Sequence, residues 1–360
     1  MKNWLSEKLD KISKFDSYNR PEKNKGSLKL DANENFALKK KFILEIALRA
    51  AKCTDLREYP LDQFKEIYRQ LAKYTGISKK YLAVGNGSDQ IIELILSIVG
   101  KGHRVTLFTP TFSYFINRCR LHELTVDRVP LSRENNTLHK MEFLQSAKQS
   151  DIVYICSPNN PTGNQFDKQS ILEIVDSLKD KLILLDEAYV EFADYSLTPI
   201  ATKYDNVIVL RTLSKAFGLA GARVGYFVAN ERFAQIFRSS IQSPYPLNSL
   251  SLTIAGIVLS QYNYVNKTIN MIKEERTRVF DKLARIKGIK AFESNANFIF
   301  FESFNKYETI LKSLKKERLV VKAFGNIEGR KGCIRVTIGT KNTNDKFLES
   351  IEKAVRKQNA

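Results

Sequence analysis

The sequence predicts an α/β fold built on a largely parallel sheet, with a smaller α+β region behind it in the chain. Three observations carry this expectation. Between residues 81 and 228 short apolar runs alternate with helical patterns, as strand–helix–strand units require. Several of those runs are unbroken Val, Ile and Leu, the composition of strands covered on both faces. After Pro244-Tyr245-Pro246 the pattern changes to a long helical stretch followed by spaced strands, and the two prolines suit a domain boundary.

Taken in order, a short apolar strand precedes Gly85, and further strands are expected at 104–108, 124–129, 151–156, 182–185, 207–210 and 223–228. Helices fall between them at 88–99, 112–121, 169–178 and 231–239. Such a sheet binds its ligand beyond the carboxyl ends of its strands. Past the prolines the sequence predicts one helix over 247–286, strands near 297–301, 319–324 and 333–338, and helices near 306–317 and 342–357. The expected division is 1–45 as an N-terminal arm that joins the small domain, 46–245 as the large domain and 246–360 as the C-terminal small domain.

Composition narrows the function. A chain of 360 residues that is 43% hydrophobic can bury a large core. It has no run of about 18 apolar residues, so no membrane span is expected. The start, Met1-Lys2-Asn3-Trp4-Leu5-Ser6, shows no secretory signal. Cys53, Cys119, Cys156 and Cys333 stand apart without metal-ligand spacing, which points to reduced thiols in the cytoplasm and no metal. The 58 Lys and Arg exceed the 39 Asp and Glu by 19. They are spread along the chain and mixed with acids, with no Arg-rich arm. This reads as a Lys-rich surface compatible with steering small anions, rather than as a nucleic-acid interface.

The chemistry starts at Lys215, in Arg211-Thr212-Leu213-Ser214-Lys215-Ala216-Phe217-Gly218, with Arg223 eight positions on. A lysine beside a hydroxyl and small residues suits a buried amine that condenses with an aldehyde, because burial and nearby cations lower its pKa. Ser214 and Arg223 can then hold a phosphate of the same ligand. Pyridoxal 5′-phosphate (PLP) carries an aldehyde, a phosphate and a ring nitrogen, and each needs a partner.

Those partners are present. Gly85-Asn86-Gly87-Ser88-Asp89-Gln90 ends a strand and opens a helix, where Ser88 and the amides of Ser88 and Asp89 suit a phosphate; an ordinary helix cap has the same composition. Asp186 follows four apolar strand residues, a costly place for a carboxylate without a cation. A protonated pyridine nitrogen is such a cation; a cap on the next segment is the other use. Tyr189 is placed to hydrogen-bond the ring's phenolic oxygen. Asn159 and Asn160, bracketed by Pro158 and Pro161, set amides at a strand end in a composition shared by any rigid turn. Phe112 follows another strand end, where a flat ring stacks on a planar cofactor or packs in the core.

Together these residues resemble those of the fold-type-I PLP-dependent enzymes, and within them the histidinol-phosphate aminotransferases. The likeness covers nearly the whole chain: Leu30-Asp31-Ala32-Asn33-Glu34-Asn35, Arg57-Glu58-Tyr59-Pro60, 85–89, 157–163, 186–189, 212–223 and 333–340. It implies a mostly parallel seven-stranded sheet in a large PLP-binding domain, and a homodimer with active sites at the subunit interface. It implies that Lys215 bonds to the aldehyde and later moves the proton, with Asp186 on the ring nitrogen. Asn160 and Tyr189 would bind the ring oxygen and Phe112 would stack on the ring. Ser88, Asp89 through its backbone, Ser214 and Arg223 would hold the phosphate, joined by Tyr59 of the neighbouring subunit. Arg335 would grip the amino donor's carboxylate, and Lys322, Asn33 and Tyr18 complete the substrate-binding set.

Three departures bear on the substrate. Lys322 stands where the family usually has Arg, a point charge in place of a planar fork. Gln90 replaces an acid, and 17–21 is shorter than the family's arm. The expected reaction is transfer of an amino group from an amino acid, glutamate, to a small phosphorylated carbonyl compound. The competing expectation is decarboxylation of O-phosphothreonine or O-phosphoserine on the same fold. The Asp31–Asn35 segment favours transfer.

Overall fold

Seven strands line up in one sheet in the order Leu82–Asn86, Val224–Val228, Val207–Thr212, Leu182–Asp186, Ile152–Cys156, Arg104–Thr109, Thr125–Pro130. The structure is a computed structural model and describes residues 3–15 and 26–356, so Tyr18 lies outside the described residues. Val224–Val228 runs antiparallel to both neighbours, and every other pairing in the sheet is parallel. The carboxyl ends of the parallel strands and the amino end of the reversed strand therefore share one edge. That edge carries the candidate site.

Strict alternation sorts the side chains of each strand onto two faces. Val153, Ile155, Ile183 and Leu185 enter one core, whereas Tyr154, Cys156 and Leu184 enter the other. Helices Gly87–Val99 and Ser113–Leu121 close the second face through Ile91, Ile95, Phe115 and Cys119. Helices Leu61–Thr75 and Lys168–Ser177 close the first through Ile67, Leu71, Ile171 and Ile174. Burying both faces is what makes the strands continuous apolar runs.

A second sheet has five strands in the order Leu28–Leu30, Leu319–Ile327, Arg330–Thr337, Phe298–Glu302, Lys290–Ala291. Leu28–Leu30 pairs parallel with Leu319–Ile327, which ties the N-terminal segment to the C-terminal sheet. Helices Tyr307–Lys316 and Lys341–Arg356 pack beside it through Ile310, Leu314, Phe347 and Ile351.

The single helix expected over 247–286 is two helices, Ser249–Ser260 and Tyr262–Ala284. Gln261 leaves helical geometry at φ −107° and ψ 28°, and its N–H bonds back to Val258 O at 3.0 Å. No Gly or Pro marks the break, so periodicity alone reads through it. Helices Lys40–Cys53, Leu61–Thr75 and Lys140–Ala147 also form where the sequence reading assigned none. No described helix is long and apolar enough to cross a membrane.

Candidate active site

Asp186 is the last residue of its strand and is 3% exposed. Its Oδ2 accepts a hydrogen bond from the Tyr154 hydroxyl at 2.7 Å and its Oδ1 accepts from the Ala188 amide at 3.1 Å. Burial pushes the carboxyl up to about 6, and these two donors hold it from going further. It is a carboxylate prepared for a cationic partner.

Lys215 lies just past the neighbouring strand, Val207–Thr212, and is half-buried. Its Nζ donates to Ala32 O at 2.9 Å and sits 5.7 Å from the centre of the Tyr189 ring. Desolvation first, and the Arg335 charge second, bring its ammonium down to about 8. At pH 7 about a tenth of this amine is therefore neutral, far more than for a free lysine. That is the condition for a nucleophilic amine.

The phosphate candidates gather where Leu82–Asn86 feeds helix Gly87–Val99. No side chain caps that helix start, so its first amides point outward. Two glycines make the approach possible. A Cβ on Gly225 would lie 2.3 Å from the Ser88 amide nitrogen, and one on Gly87, at φ +74°, would lie 2.5 Å from Arg223 Nη2. Arg223 adopts φ 56° and ψ 48° and pairs with the Asp89 carboxylate at 2.8 Å. The Asp89 side chain is thus engaged while its backbone belongs to the helix start. Gln90 turns back to accept from the Asn86 amide at 2.7 Å. Ser214 is 6% exposed and its hydroxyl is buried without a hydrogen-bond partner. A buried, orphaned hydroxyl is a site waiting for an acceptor.

Tyr189, 4% exposed, stands edge-on to Phe298 with centroids 5.1 Å apart and accepts from Asn33 Nδ2 at 3.0 Å. Asn33 is held in turn by Thr337 Oγ1, which accepts from its amide at 3.0 Å. Arg335 is buried, with Nη1 donating to Asn160 Oδ1 and Nη2 to Asp31 O. Lys322 is its register partner across the sheet, exposed and on the same face. Asn159 builds the loop, donating to Pro110 O at 2.9 Å and accepting from Thr111 Oγ1 at 2.8 Å, which leaves Asn160 to Arg335. Phe112 is half-buried, its ring 5.7 Å from that of Tyr114.

One expected residue stands apart within its own chain. Tyr59 is 71% exposed and stacks on Tyr245 with centroids 4.3 Å apart.

Sequence reasoning missed two supports of the site. Tyr154 gave no signal, because its contact depends on strand register. Arg211, 6% exposed, bridges Glu187 at 3.4 Å and Glu191 at 2.7 Å and so clamps the strand ends that carry Lys215 and Asp186. Its place beside the Ser214-Lys215 pair was the available hint.

The donor set fits PLP. It offers an amine with a lowered pKa, a buried carboxylate with oriented oxygens, and an unpartnered hydroxyl near a helix start and an arginine. Comparison with known proteins agrees. Residues 25–351 match the family "Aminotransferase class I and II". The histidinol-phosphate aminotransferase of Pyrococcus furiosus is 35% identical over 95% of this chain and 96% of its own. Among solved structures, histidinol-phosphate aminotransferase from Sinorhizobium meliloti in complex with pyridoxal-5′-phosphate has TM-score 0.83 at 22% identity, covering 92% of this chain and 91% of that one. L-threonine-O-3-phosphate decarboxylase from Porphyromonas gingivalis has TM-score 0.78 at 20% identity, covering 91% and 99%. At these identities the two structures speak to the fold, so they do not separate the two reactions.

Proposed function

Because the chain belongs to the class I and II aminotransferase family, a family match over 25–351, and is a PLP-dependent aminotransferase, we propose that Lys215 is its catalytic amine and histidinol phosphate its amino product. The observation that carries the assignment is the placement of two groups at adjacent strand ends: the buried Asp186 at the end of Leu182–Asp186, and Lys215, with its pKa lowered to about 8, just past the end of Val207–Thr212. When bound, PLP supplies an aldehyde that bonds to amines and a ring that accepts electrons from a substrate carbon.

The protein's own groups do the rest. Lys215 Nζ would take the proton from the substrate's α-carbon and hand it on to the carbon that receives the amino group, a role worth about 10²–10⁴-fold in rate. The Asp186 carboxylate would keep the ring nitrogen protonated. Asn160 and Tyr189 would bind the ring oxygen and Phe112 would cover the ring. Ser88, the Asp89 amide, Ser214 and Arg223 would hold the phosphate. Arg335 exchanges its bonds to Asn160 and Asp31 for a substrate carboxylate. Lys322, on the same sheet face as Arg335, would offer a point charge to an acceptor phosphate, and Asn33 and Tyr18 stay in the proposed substrate-binding set.

The proposal includes a homodimer in which Tyr59 reaches the partner's phosphate site. Its support is the exposed ring of Tyr59 together with exposed Leu44, Leu48, Leu56 and Leu61.

The test is to incubate the PLP-loaded enzyme with glutamate and then add phosphorylated ketones and aldehydes, imidazoleacetol phosphate among them. Return of the original visible spectrum with that acceptor is expected. Release of carbon dioxide from O-phosphothreonine without any acceptor would instead establish the decarboxylase.

A further inference from the structure

We propose that Tyr154 is a positioning residue for amino transfer: its hydroxyl holds the Asp186 carboxylate oriented and charged, so that the shared proton stays on the cofactor's ring nitrogen. The proposal rests on the reading of Asp186 as the ring-nitrogen partner.

The contact is built into the sheet. Cys156 lies directly opposite Asp186, and Tyr154 lies opposite Leu184. Tyr154 therefore reaches Asp186 along the diagonal of one face, a distance an aromatic side chain spans. Tyr154 is 1% exposed, and its hydroxyl donates to Asp186 Oδ2 at 2.7 Å. Its ring is stacked on Phe115, with centroids 3.7 Å and planes 11° apart, which fixes where the hydroxyl oxygen sits beside Asp186. Phe115 comes from helix Ser113–Leu121, so the aim is set from behind the site.

The energetic need is specific. A carboxylate shares a proton with a pyridine nitrogen, and the weaker base gives it up. Burial makes Asp186 a stronger base, and the carboxylates of Asp89 on helix Gly87–Val99 and of Glu187, next in the chain, push the same way. Two donors oppose them, the Ala188 amide and the Tyr154 hydroxyl. Hydrogen bonds donated to a charged form favour that form. Tyr154 remains a donor because burial and the Asp186 charge hold its own phenol protonated. Cys156, also facing Asp186, turns its thiol toward Pro158 O instead.

Tyr154→Phe removes the hydroxyl and keeps the ring in its stack. Wild-type, Tyr154→Phe and Asp186→Asn enzymes are loaded with PLP labelled with ¹⁵N in the ring, and the ring-nitrogen resonance is recorded. The expected result is a protonated-ring resonance in wild type, a neutral-ring resonance in Asp186→Asn, and a resonance displaced toward neutral in Tyr154→Phe. Single turnover with glutamate should slow about 10-fold or more in Tyr154→Phe, the loss expected for a hydrogen bond to a charged group, with KM little changed. Phe115→Leu keeps the hydroxyl but loosens its aim, and should displace the resonance in the same direction by less. A wild-type resonance in both Tyr154→Phe and Phe115→Leu, with Asp186→Asn displaced, overturns the role of Tyr154 and leaves that of Asp186 standing. A wild-type resonance in Asp186→Asn overturns both.

Discussion

At one end of the site Asp186 is 3% exposed and both of its oxygens already accept hydrogen bonds; at the other, Ser214 keeps a buried hydroxyl without a partner and Arg223 shares a half-exposed ion pair with Asp89. The first end is finished by strand packing before any ligand arrives. The second is left open by a bare helix start and two glycines that admit close approach. The two ends divide the labour. An end that must set the protonation of a ring needs fixed dipoles in a dry place, whereas an end that must capture an anion needs donors not yet spent. Lys215 directly follows Ser214 and lies just past the strand that pairs with the one ending in Asp186.

Substitutions test this contrast, and the largest effect is expected at Lys215. Lys215→Ala should lower turnover by about 10⁴-fold or more, because nucleophile and base go together; steady-state assay with glutamate measures it. Next, Asp186→Asn should cost about 10²–10³-fold in kcat, as for other oriented electrostatic partners, while PLP remains bound. Phosphate-end changes should do the reverse. Arg223→Ala should weaken PLP binding by about 10–100-fold and Ser214→Ala by about 5-fold, with kcat at saturating PLP little altered, as fluorescence titration and assay together would show. If Arg223→Ala lowers kcat and leaves affinity intact, the division of labour is wrong.

The smallest expected effect is a shift in pH. The folded Lys215 amine titrates near 8, below its unfolded value, so its nucleophilic form is scarce below that pH and grows as pH rises through it. The rate at which PLP bonds to cofactor-free protein should therefore climb between about pH 7 and 9. Arg335 is one cause of the lowering, so Arg335→Met should move that midpoint upward.

Much of this was legible in the chain. Asp186 announced itself as a charge at the end of an apolar strand, and Lys215 through its Ser and Arg neighbours, because burial and covalent chemistry restrict composition locally. The strands of the large sheet were legible for the same reason: burial on both faces leaves unbroken apolar runs. What stayed hidden depends on pairing. Tyr154 looks like any core aromatic until the register opposes it to Leu184 and thereby aims it at Asp186. The Arg211 clamp requires two carboxylates from a neighbouring segment. The break at Gln261 shows the same limit, since it carries no Gly or Pro and no capping side chain at the start of the second helix. Helix Leu61–Thr75 was legible after all, bracketed by Pro60 and a left-handed Gly76.

The most direct measurement is chemical. PLP is added at one equivalent, the protein is reduced with borohydride and digested, and the peptides are mapped by mass spectrometry. With 58 Lys and Arg in the chain, unselective labelling would scatter over many lysines. The pyridoxyl group is expected on Lys215 alone; a modified lysine elsewhere, with Lys215 untouched, would refute the role given to Lys215.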